Sequence, residues 1–443
     1  MKLTRRQALL TLLAFFGFKN SNLQVQDQPP LIYSNDEPII TTEFELELIY
    51  QEFLKAAAGG VEDKPVLLYQ GIKTSPYSAE ITDYPVRLNE KPDGKHLIDG
   101  TLVNSSFNPY PALGELPLID EQSLTFLHED IKEACVCVGA FAAGDFRTKW
   151  LGRNALSTQE FWSATKFISL LYLVCHLNNR FPKKDIDYCQ IKGVDQQGNE
   201  RLAFFPNFAT DLVSYEQSIA SSNSLGAMFK RFAPPLDLEN WLKGITGNTN
   251  LVFRGSYGEK PFIDRPQLVD FLTGEVLINA DTNSPNWSCN QVSAYDLTRM
   301  ISMLGWHNYI SQEAQLPYAQ WHNLESVIRA MGTAPARFTD LAIKALGLEH
   351  VLESVVIVSK EGDGATDLRQ RTEAVYVANV QFIDPRPLEL GASAQIFTFS
   401  MALRAGKALE PRDKDREVVE LDARMATAVT EIIYRVLMNQ LAS

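Results

Sequence analysis

Segments with the composition of β-strands occur at two places far apart in the sequence. CVCVGAF and TKWLGRNAL, joined by the turn AAGD, form the first group. SVVIVSK, EAVYVANVQF and AQIFTFSMAL follow near the C-terminus, ahead of the amphipathic segment ELDARMATAVTEIIYRVLMNQL. The segments between the groups have helical spacing, and so does DEQSLTFLHEDIKEA just before the first group. This distribution predicts an α+β fold in which helices flank an antiparallel sheet that the C-terminal half completes.

The stretch FWSATKFISLLYLV, residues 161–174, has a serine three residues ahead of a lysine at the start of a long apolar run. Residues spaced by three share one helix face, so Ser163 and Lys166 can meet at the first turn of a buried helix. A serine hydroxyl needs a nearby base to act as a nucleophile, and a lysine serves when burial or neighbouring cations destabilise its ammonium. Taken alone, the pair is more often a helix-start serine beside a lysine that reaches solvent.

Two later segments carry further groups that such a pair needs. SIASSNSLGAMFKRF holds Ser221 and Asn223 in a polar break between helices, and SVVIVSKEGDG ends a β-branched strand at Lys360 and Gly362. Each has an ordinary interpretation, as turn and capping residues or as a solvated strand end. Their occurrence in this order, each on a suitable element, favours a common site.

With these elements the sequence resembles the serine β-lactamases and penicillin-binding DD-peptidases, whose S-x-x-K, S-x-N and K-T-G motifs occur in the same order. The resemblance is closest to the class A β-lactamases and implies an antiparallel sheet flanked by helices, with an all-helical subdomain. It implies that Ser163 is the acylated nucleophile and that Lys166 is its base or proton relay. Ser221 would pass a proton to the leaving nitrogen, Asn223 would hold the substrate amide, and Lys360 would favour an anionic substrate group.

The resemblance also implies the remaining parts of the cleft. Backbone N–H groups of the nucleophile and of a residue in 363–365 would form the oxyanion hole. Gly362 would allow a close backbone approach beside it. Arg369 or Arg371 would bind a substrate carboxylate through two hydrogen bonds.

Two departures separate the chain from this family pattern. Glu361 stands where the family has Thr or Ser, so a negative charge replaces a hydroxyl donor and would weaken penicillin recognition if it faces the cleft. The glutamate that class A enzymes use for deacylation has no E-x-x-L-N setting here. Glu259 lies at about the right distance past the second motif and is the candidate, in competition with Asp264, Asp270 and Glu275.

The N-terminal part of the chain predicts a leader and an extension. Residues 1–22 combine a twin-arginine basic start with a short apolar segment, which predicts a twin-arginine export signal or an N-terminal anchor. Residues 23–118 predict an extension of weak regularity with one helix in TTEFELELIYQEFLKAAAGG, and residues 119–443 the domain that the resemblance covers. We therefore expect an exported, periplasmic protein whose membrane contact, if any, comes only through the N-terminal segment.

Charge and cysteine content exclude other classes of function. The net charge of -13 repels phosphate backbones, so no nucleic-acid partner is expected. The five cysteines are too few and too irregular for a disulfide scaffold, and no CxxC or CxxH grouping suggests zinc, so we expect no metal and no other cofactor. Cys135 and Cys137 are predicted to be buried thiols on one strand face. The oligomeric state is left open.

The sequence therefore predicts an exported active-site-serine hydrolase that forms an acyl-enzyme at Ser163 and hydrolyses a β-lactam or related amide. The substrate would be a small molecule or a peptidoglycan-like compound. Because no deacylating glutamate has its usual setting, a DD-peptidase or an esterase of the same fold is one alternative. A catalytically inactive relative that binds cell-wall peptide or a partner protein is another.

Overall fold

The computed structural model describes residues 43–58, 68–281, 287–366 and 369–442 of the chain. The predicted signal at residues 1–22 lies outside these ranges. None of the described helices has both the length and the apolar character needed to cross a membrane.

Strands and helices of the described ranges alternate along the chain. The strands are β1 (Leu97–Asp99), β2 (Asn108–Pro109), β3 (Ile119–Asp120), β4 (Ile131–Ala142), β5 (Asp145–Arg153), β6 (Cys189–Val194), β7 (Glu200–Phe204), β8 (Val252–Phe253), β9 (Gln267–Asp270), β10 (Val276–Asn279), β11 (Asn290–Gln291), β12 (Glu353–Thr366), β13 (Arg371–Asp384) and β14 (Ala394–Lys407). The helices are α1 (Glu43–Ala58), α2 (Tyr84–Arg87), α3 (Phe167–Arg180), α4 (Phe205–Ser214), α5 (Ser222–Phe229), α6 (Pro235–Thr246), α7 (Ala294–Gly305), α8 (Trp321–Gly332), α9 (Phe338–Ala345) and α10 (Lys414–Leu437).

A large sheet forms the centre of the molecule, with strand order β12-β13-β14-β4-β5-β2. Neighbours along this path are antiparallel, whereas β1 pairs with β14 and β3 pairs with β5 in parallel. Thr398 of β14 lies opposite Gly139 of β4, so the two strand-rich parts of the sequence join side by side. The predicted α+β fold, an antiparallel sheet flanked by helices, is confirmed.

The large sheet is buried on both faces. Cys135 and Cys137 face a core shared with α3 and α7, whereas Val136 and Val138 face a second core shared with α9 and α10. Successive strand residues point to opposite faces, so a sheet covered on both sides needs such an uninterrupted apolar run. The predicted burial of the two thiols is confirmed, and burial raises the pKa of both above the usual value.

Residues 121–129 form turns rather than the predicted helix, so the expectation of a helix across DEQSLTFLHEDIKEA is wrong. The Arg153 guanidinium donates to the backbone carbonyls of Leu124, Leu127 and His128 and to two more carbonyls of this stretch. A side chain from β5 therefore satisfies carbonyls that a helix would use internally. The leucines that suggested helical spacing are still buried.

The region between α3 and β12 is mainly helical but contains a sheet that the sequence analysis did not predict. Its four strands are antiparallel in the order β10-β9-β6-β7, and β8 pairs with β11 in a second, two-stranded sheet. The four strands are short, and residues 195–266 separate β6 from its partner β9 in the sequence. Pairing over such a distance leaves little local signal.

The described residues of the N-terminal extension pack against the rest of the chain. The predicted helix is present as α1, and it buries Ile49, Tyr50 and Phe53 against α10. The short strands β1 and β2, with β3 at the junction, add to the large sheet. The extension thus contributes to the second core and to the sheet that carries the site.

Candidate active site

Ser163 lies in a 3-10 turn, Trp162–Thr165, that leads into α3. Trp162 has a φ of 47°, in the left-handed region that non-glycine residues rarely adopt and that is enriched at functional sites. The helix that follows is buried along most of its length. The partly exposed Ser163 is therefore held at the end of a rigid element.

Lys166 ends this turn and is fully buried. Its Nζ donates to Ser222 Oγ at 2.9 Å and to Asn223 Oδ1 at 2.8 Å, and within the described ranges these hydrogen bonds, not one to Ser163, hold the amine. Burial lowers the pKa of Lys166 well below its usual value, and the charge of Lys360 lowers it further, while nearby carboxylates oppose the shift. This lowering favours the neutral amine that a general base requires.

The second segment contributes Ser221, Ser222 and Asn223 at the start of α5. Ser221 caps the helix, because its Oγ accepts from the N–H of Ser224 at 3.1 Å, and the same hydroxyl donates to the Glu259 carboxylate. Asn223 Nδ2 lies 3.4 Å from the other oxygen of that carboxylate. Ser221 is therefore turned toward Glu259, and the contact with the lysine falls to its neighbour Ser222.

The third segment is β12, which at Gly362 closely approaches the turn Trp162–Thr165. This turn is called the nucleophile turn below, after the role predicted for Ser163. A Cβ added at Gly362 would lie 2.7 Å from the backbone nitrogens of both Ser163 and Ala164, a separation that real Cβ atoms do not adopt. Only glycine lets the strand come so near. Residues 161–166, 221–224 and 360–363 thus lie together at one site, which is called the cleft below.

The strand β12 is an edge of the large sheet. The Tyr215 hydroxyl donates to the carbonyl of Glu361 at 2.9 Å, so this carbonyl points away from β13. Because the directions of backbone groups alternate along a strand, the N–H of Asp363 points to the same edge. The N–H groups of Ser163 and Asp363 are then the two candidate donors for an oxyanion.

Lys360 lies fully buried beside this edge. Its Nζ is 3.6 Å from the centre of the Tyr215 ring and donates to the Glu361 carbonyl at 3.2 Å. Burial lowers the pKa of Lys360 to about 7, against the opposing effect of the Glu361 and Asp363 carboxylates. Lys360 therefore brings a full positive charge to the cleft only below neutral pH.

The side chain of Glu361, the departure from the family motif, is 3% exposed. Successive strand side chains point to opposite faces, and the missing side chain of Gly362 would point at the nucleophile turn. The Glu361 side chain therefore leaves β12 on the face away from Ser163. Its charge still acts on the cleft, because it raises the pKa of Lys360.

Among the four carboxylates considered for deacylation, the described contacts of Glu259 lie at the cleft, with Ser221 and Asn223. Asp264 and Asp270 form ion pairs with basic residues elsewhere. Glu275 lies in the turn between β9 and β10 of the small sheet.

The two candidate carboxylate-binding arginines bind acidic residues of the chain. Arg369 and Arg371 both contact Glu373, with Nε–Oε1 distances of 3.0 and 2.7 Å, and Arg369 also lies 3.0 Å from Glu160. Glu373 in turn accepts from the Trp162 indole N–H at 2.9 Å. This ionic cluster supports the turn that carries the nucleophile, and a role of either arginine in substrate binding stays a prediction.

Three further residues line the cleft without having been predicted. The Tyr257 hydroxyl lies 3.1 Å from Thr165 Oγ1, and its ring centre is 5.2 Å from Lys166 Nζ. Tyr215 and Ser222 are the other two. None of the three has a motif spacing, since each contacts the site only through the tertiary fold.

No family model matches this chain, and no curated protein does. A solved β-lactamase from Chitinophaga pinensis is similar over 68% of this chain and 93% of its own, with 12% identity and a TM-score of 0.37. A β-lactamase from Desulfarculus baarsii is similar over 69% and 93%, with 12% identity and a TM-score of 0.35. A peptidoglycan synthetase from Bifidobacterium adolescentis is similar over 71% of this chain and 58% of its own, with 11% identity and a TM-score of 0.24. Likenesses at this level are distant, so the chemistry of the cleft follows from its own residues.

Proposed function

We propose that the protein is an active-site-serine hydrolase of the β-lactamase and penicillin-binding type that forms an acyl-enzyme at Ser163. The observation that carries this proposal is the fully buried Lys166, with its lowered pKa, on the turn that holds the serine. Lys230 is buried as well, so burial alone does not mark a base. Lys166 differs because it lies three residues after Ser163 and its amine contacts the second segment at Ser222 and Asn223. The close approach of β12 supplies candidate oxyanion donors at the same place.

In the proposed acylation, Ser163 Oγ attacks the carbonyl carbon of an amide or ester and Lys166 takes its proton. The N–H groups of Ser163 and Asp363 stabilise the oxyanion, an effect commonly worth about 3 kcal/mol per donor. The bond to the leaving group then breaks, and Lys166 returns the proton to the leaving atom. A relay through Ser221 would require its hydroxyl to turn from Glu259 toward the lysine. The acyl group remains as an ester of Ser163.

In the proposed deacylation, Glu259 accepts a proton from a water molecule that attacks this ester. The bond between the carbonyl carbon and Ser163 Oγ breaks, Oγ recovers a proton, and the carboxylic acid leaves. The hydrogen bonds from Ser221 and Asn223 support Glu259 in this role, because they fix the direction of its carboxylate.

Covalent labelling tests the proposal. The protein is incubated with a fluorescent penicillin and with a panel of activated esters, and the adduct is located by mass spectrometry. We expect one acyl group on Ser163, absent in Ser163→Ala and formed about 10²–10⁴-fold more slowly in Lys166→Met. Lys230→Met is the matched control, since Lys230 is also buried but donates to the Gly255 carbonyl and to Asn290. A correctly folded wild type that no reagent acylates would exclude the hydrolase.

A second candidate is a catalytically inactive relative that binds cell-wall peptide or a partner protein. The presence of Tyr215 in the cleft favours it, because the side chain occupies backbone groups that a substrate would use. Ser163→Ala would then leave ligand binding unchanged. Within the hydrolase proposal, turnover of a chromogenic cephalosporin compared with a p-nitrophenyl ester separates a β-lactamase from an esterase.

Export by the twin-arginine segment completes the proposal. Cell fractionation should recover the protein outside the cytoplasm, and replacing both Arg5 and Arg6 by lysine should retain it inside. Equal distribution of the two forms would contradict export by this route.

A further inference from the structure

Tyr215 contacts three groups of the cleft with one side chain. Its hydroxyl donates to the Glu361 carbonyl at 2.9 Å, and its ring covers Lys360 Nζ at 3.6 Å. The Ser163 side chain also acts on this hydroxyl, because it lowers the Tyr215 pKa. These are the groups that the proposed reaction offers to a substrate, namely the nucleophile, the strand edge and the cation.

The phenol of Tyr215 is held neutral. Burial raises its pKa well above the usual value, the Glu361 carboxylate raises it further, and the Ser163 side chain only partly offsets both. A neutral phenol whose proton is already donated to a carbonyl is a poor base. The Tyr215 side chain is therefore placed to obstruct access to Ser163 rather than to take its proton.

The backbone around Tyr215 lets the side chain move while the loop stays in place. Tyr215 follows the last residue of α4 with a left-handed φ of 58°, and residues 216–218 are exposed. The Asp211 carboxylate accepts from the backbone N–H groups of Ser218, Ile219 and Ala220, which anchors the far side of the loop. The motion that would uncover the cleft is therefore a rotation about the Tyr215 side-chain bonds, because the neighbouring backbone is anchored.

We infer that Tyr215 is a gate residue that sets the size of acyl group admitted to Ser163. This inference rests on the proposed function. Small acyl groups reach the serine beside the ring, whereas bulky groups require the ring to leave Lys360 and the Glu361 carbonyl. Closing contacts of this kind, one hydrogen bond and one cation–π contact, reduce the open population by roughly tenfold or more.

Ester kinetics provide the first test, with p-nitrophenyl acetate as the small acyl donor and p-nitrophenyl phenylacetate as the bulky one. We expect Tyr215→Ala to raise kcat/KM for the bulky ester about tenfold or more, because the open form is then no longer a minor population. For the acetate ester we expect a change under about threefold. Tyr215→Phe, which keeps the ring, should change both values by less than about threefold. Tyr318→Ala is the matched control, because Tyr318 is also a left-handed tyrosine but is 64% exposed elsewhere. A parallel loss for both esters in Tyr215→Ala would overturn the gate.

Amine labelling tests the gate without relying on turnover. Reductive methylation with formaldehyde and dimethylamine borane, mapped by mass spectrometry, should modify Lys360 about tenfold faster in Tyr215→Ala than in wild type, since the open population sets access. Lys230, enclosed by Phe253, Gly255 and Asn290, should stay unmodified in both.

The two tests together distinguish the two proposals. Equal labelling of Lys360 in wild type and Tyr215→Ala means that the ring does not close the cleft, and the inference fails. If Lys360 is labelled faster in Tyr215→Ala but Ser163 is acylated in neither protein, the ring does close the cleft and the hydrolase proposal is wrong. If Lys360 is labelled faster but Tyr215→Ala changes kcat/KM equally for the two esters, Tyr215 does not select acyl groups by size. The hydrolase proposal is then unaffected.

Discussion

Lys166 and Lys360 are both fully buried, but their surroundings suit them to different tasks. Lys166 donates to Ser222 and Asn223, two neutral oxygens that tolerate either protonation state of the amine. Lys360 lies against an aromatic face and a backbone carbonyl, which favour its charged form. The first lysine is therefore suited to exchanging a proton, and the second to exerting a positive field below neutral pH, where it is fully charged.

Replacing Glu259 by glutamine should separate the two halves of the proposed reaction. Acylation of Ser163 should be little changed, whereas hydrolysis of the acyl-enzyme should slow about 10²–10⁴-fold because the base is lost. Intact-mass measurement during turnover should show the acyl-enzyme accumulating. Asp264→Asn is the control, since Asp264 pairs with Arg231, and it should show no accumulation. Absence of accumulation in Glu259→Gln would assign deacylation to another group.

Lys360 predicts a pH dependence of stability. Its folded pKa of about 7 lies below its ordinary value of 10.5, so between these values the unfolded chain binds more protons and the free energy of unfolding rises with pH. Urea denaturation from pH 7 to 10 should show the free energy of unfolding of wild type rising relative to that of Lys360→Met, with Lys360 itself contributing at most roughly 1.4 kcal/mol per pH unit. Lys360→Met also removes a positive charge beside Lys166, so the Lys166 pKa rises toward its unfolded value in the variant. The stability of the variant then depends less on pH, which adds to the expected change between wild type and variant. A constant difference across this range would contradict the prediction.

At the level of single residues, the sequence identified the side chains whose spacing follows a motif. Ser163, Lys166 and Asn223 could be named because their intervals match an order of motifs, and Glu259 because it follows the second motif at a suitable distance. Tyr215 and Ser222 could not, since a helix end and a side-chain direction decide their contacts. Sequence alone likewise could not tell that Ser221 faces Glu259 rather than Lys166.

At the level of elements, the proximity of β12 to the nucleophile turn depends on Gly362. Gly362→Ala should push the strand away and disturb the oxyanion donors, with acylation slowed about 10²-fold or more. Overpacking should also destabilise the fold by about 1–3 kcal/mol, measurable by urea denaturation.

Gly244 offers the matched control for this substitution. It lies within α6 and a Cβ there would meet nothing within 4 Å. Gly244→Ala should leave acylation unchanged and raise stability by about 0.5–1 kcal/mol, as alanine does in helices. If Gly362→Ala is acylated as fast as wild type, the close approach of β12 to the nucleophile turn is not required.

Elements with strong periodic signals were predicted well, and those made by distant partners were not. The hairpin β4–β5, the strands β12 to β14 and the helix α10 have composition and length that favour one state. Residues 121–129 have helical spacing but form turns, because Arg153 donates to four of their carbonyls. The small sheet around β6 and β9 was missed because its pairing spans an intervening helical region.

At the level of the whole molecule, the predicted boundary between residues 23–118 and 119–443 can be tested by deletion. A variant lacking residues 1–118 would expose the surface that covers Ile49, Tyr50 and Phe53, each worth roughly 1.5–3 kcal/mol when buried. It would also lose β1 and β2 from the sheet. Because total stability is typically about 5–15 kcal/mol, we expect the shortened chain to be unfolded or aggregated by circular dichroism and size-exclusion chromatography. A cooperative urea transition at the wild-type midpoint would show that residues 119–443 fold independently.

The pairing of β4 with β14 has a consequence for the chain during its synthesis. Ser163 is synthesised well before β12 and β14, because both strands lie far downstream of it in the sequence. Contacts so remote in sequence form late and slowly. Under the proposed function, a growing chain would therefore lack hydrolytic activity until β12 and β14 have docked.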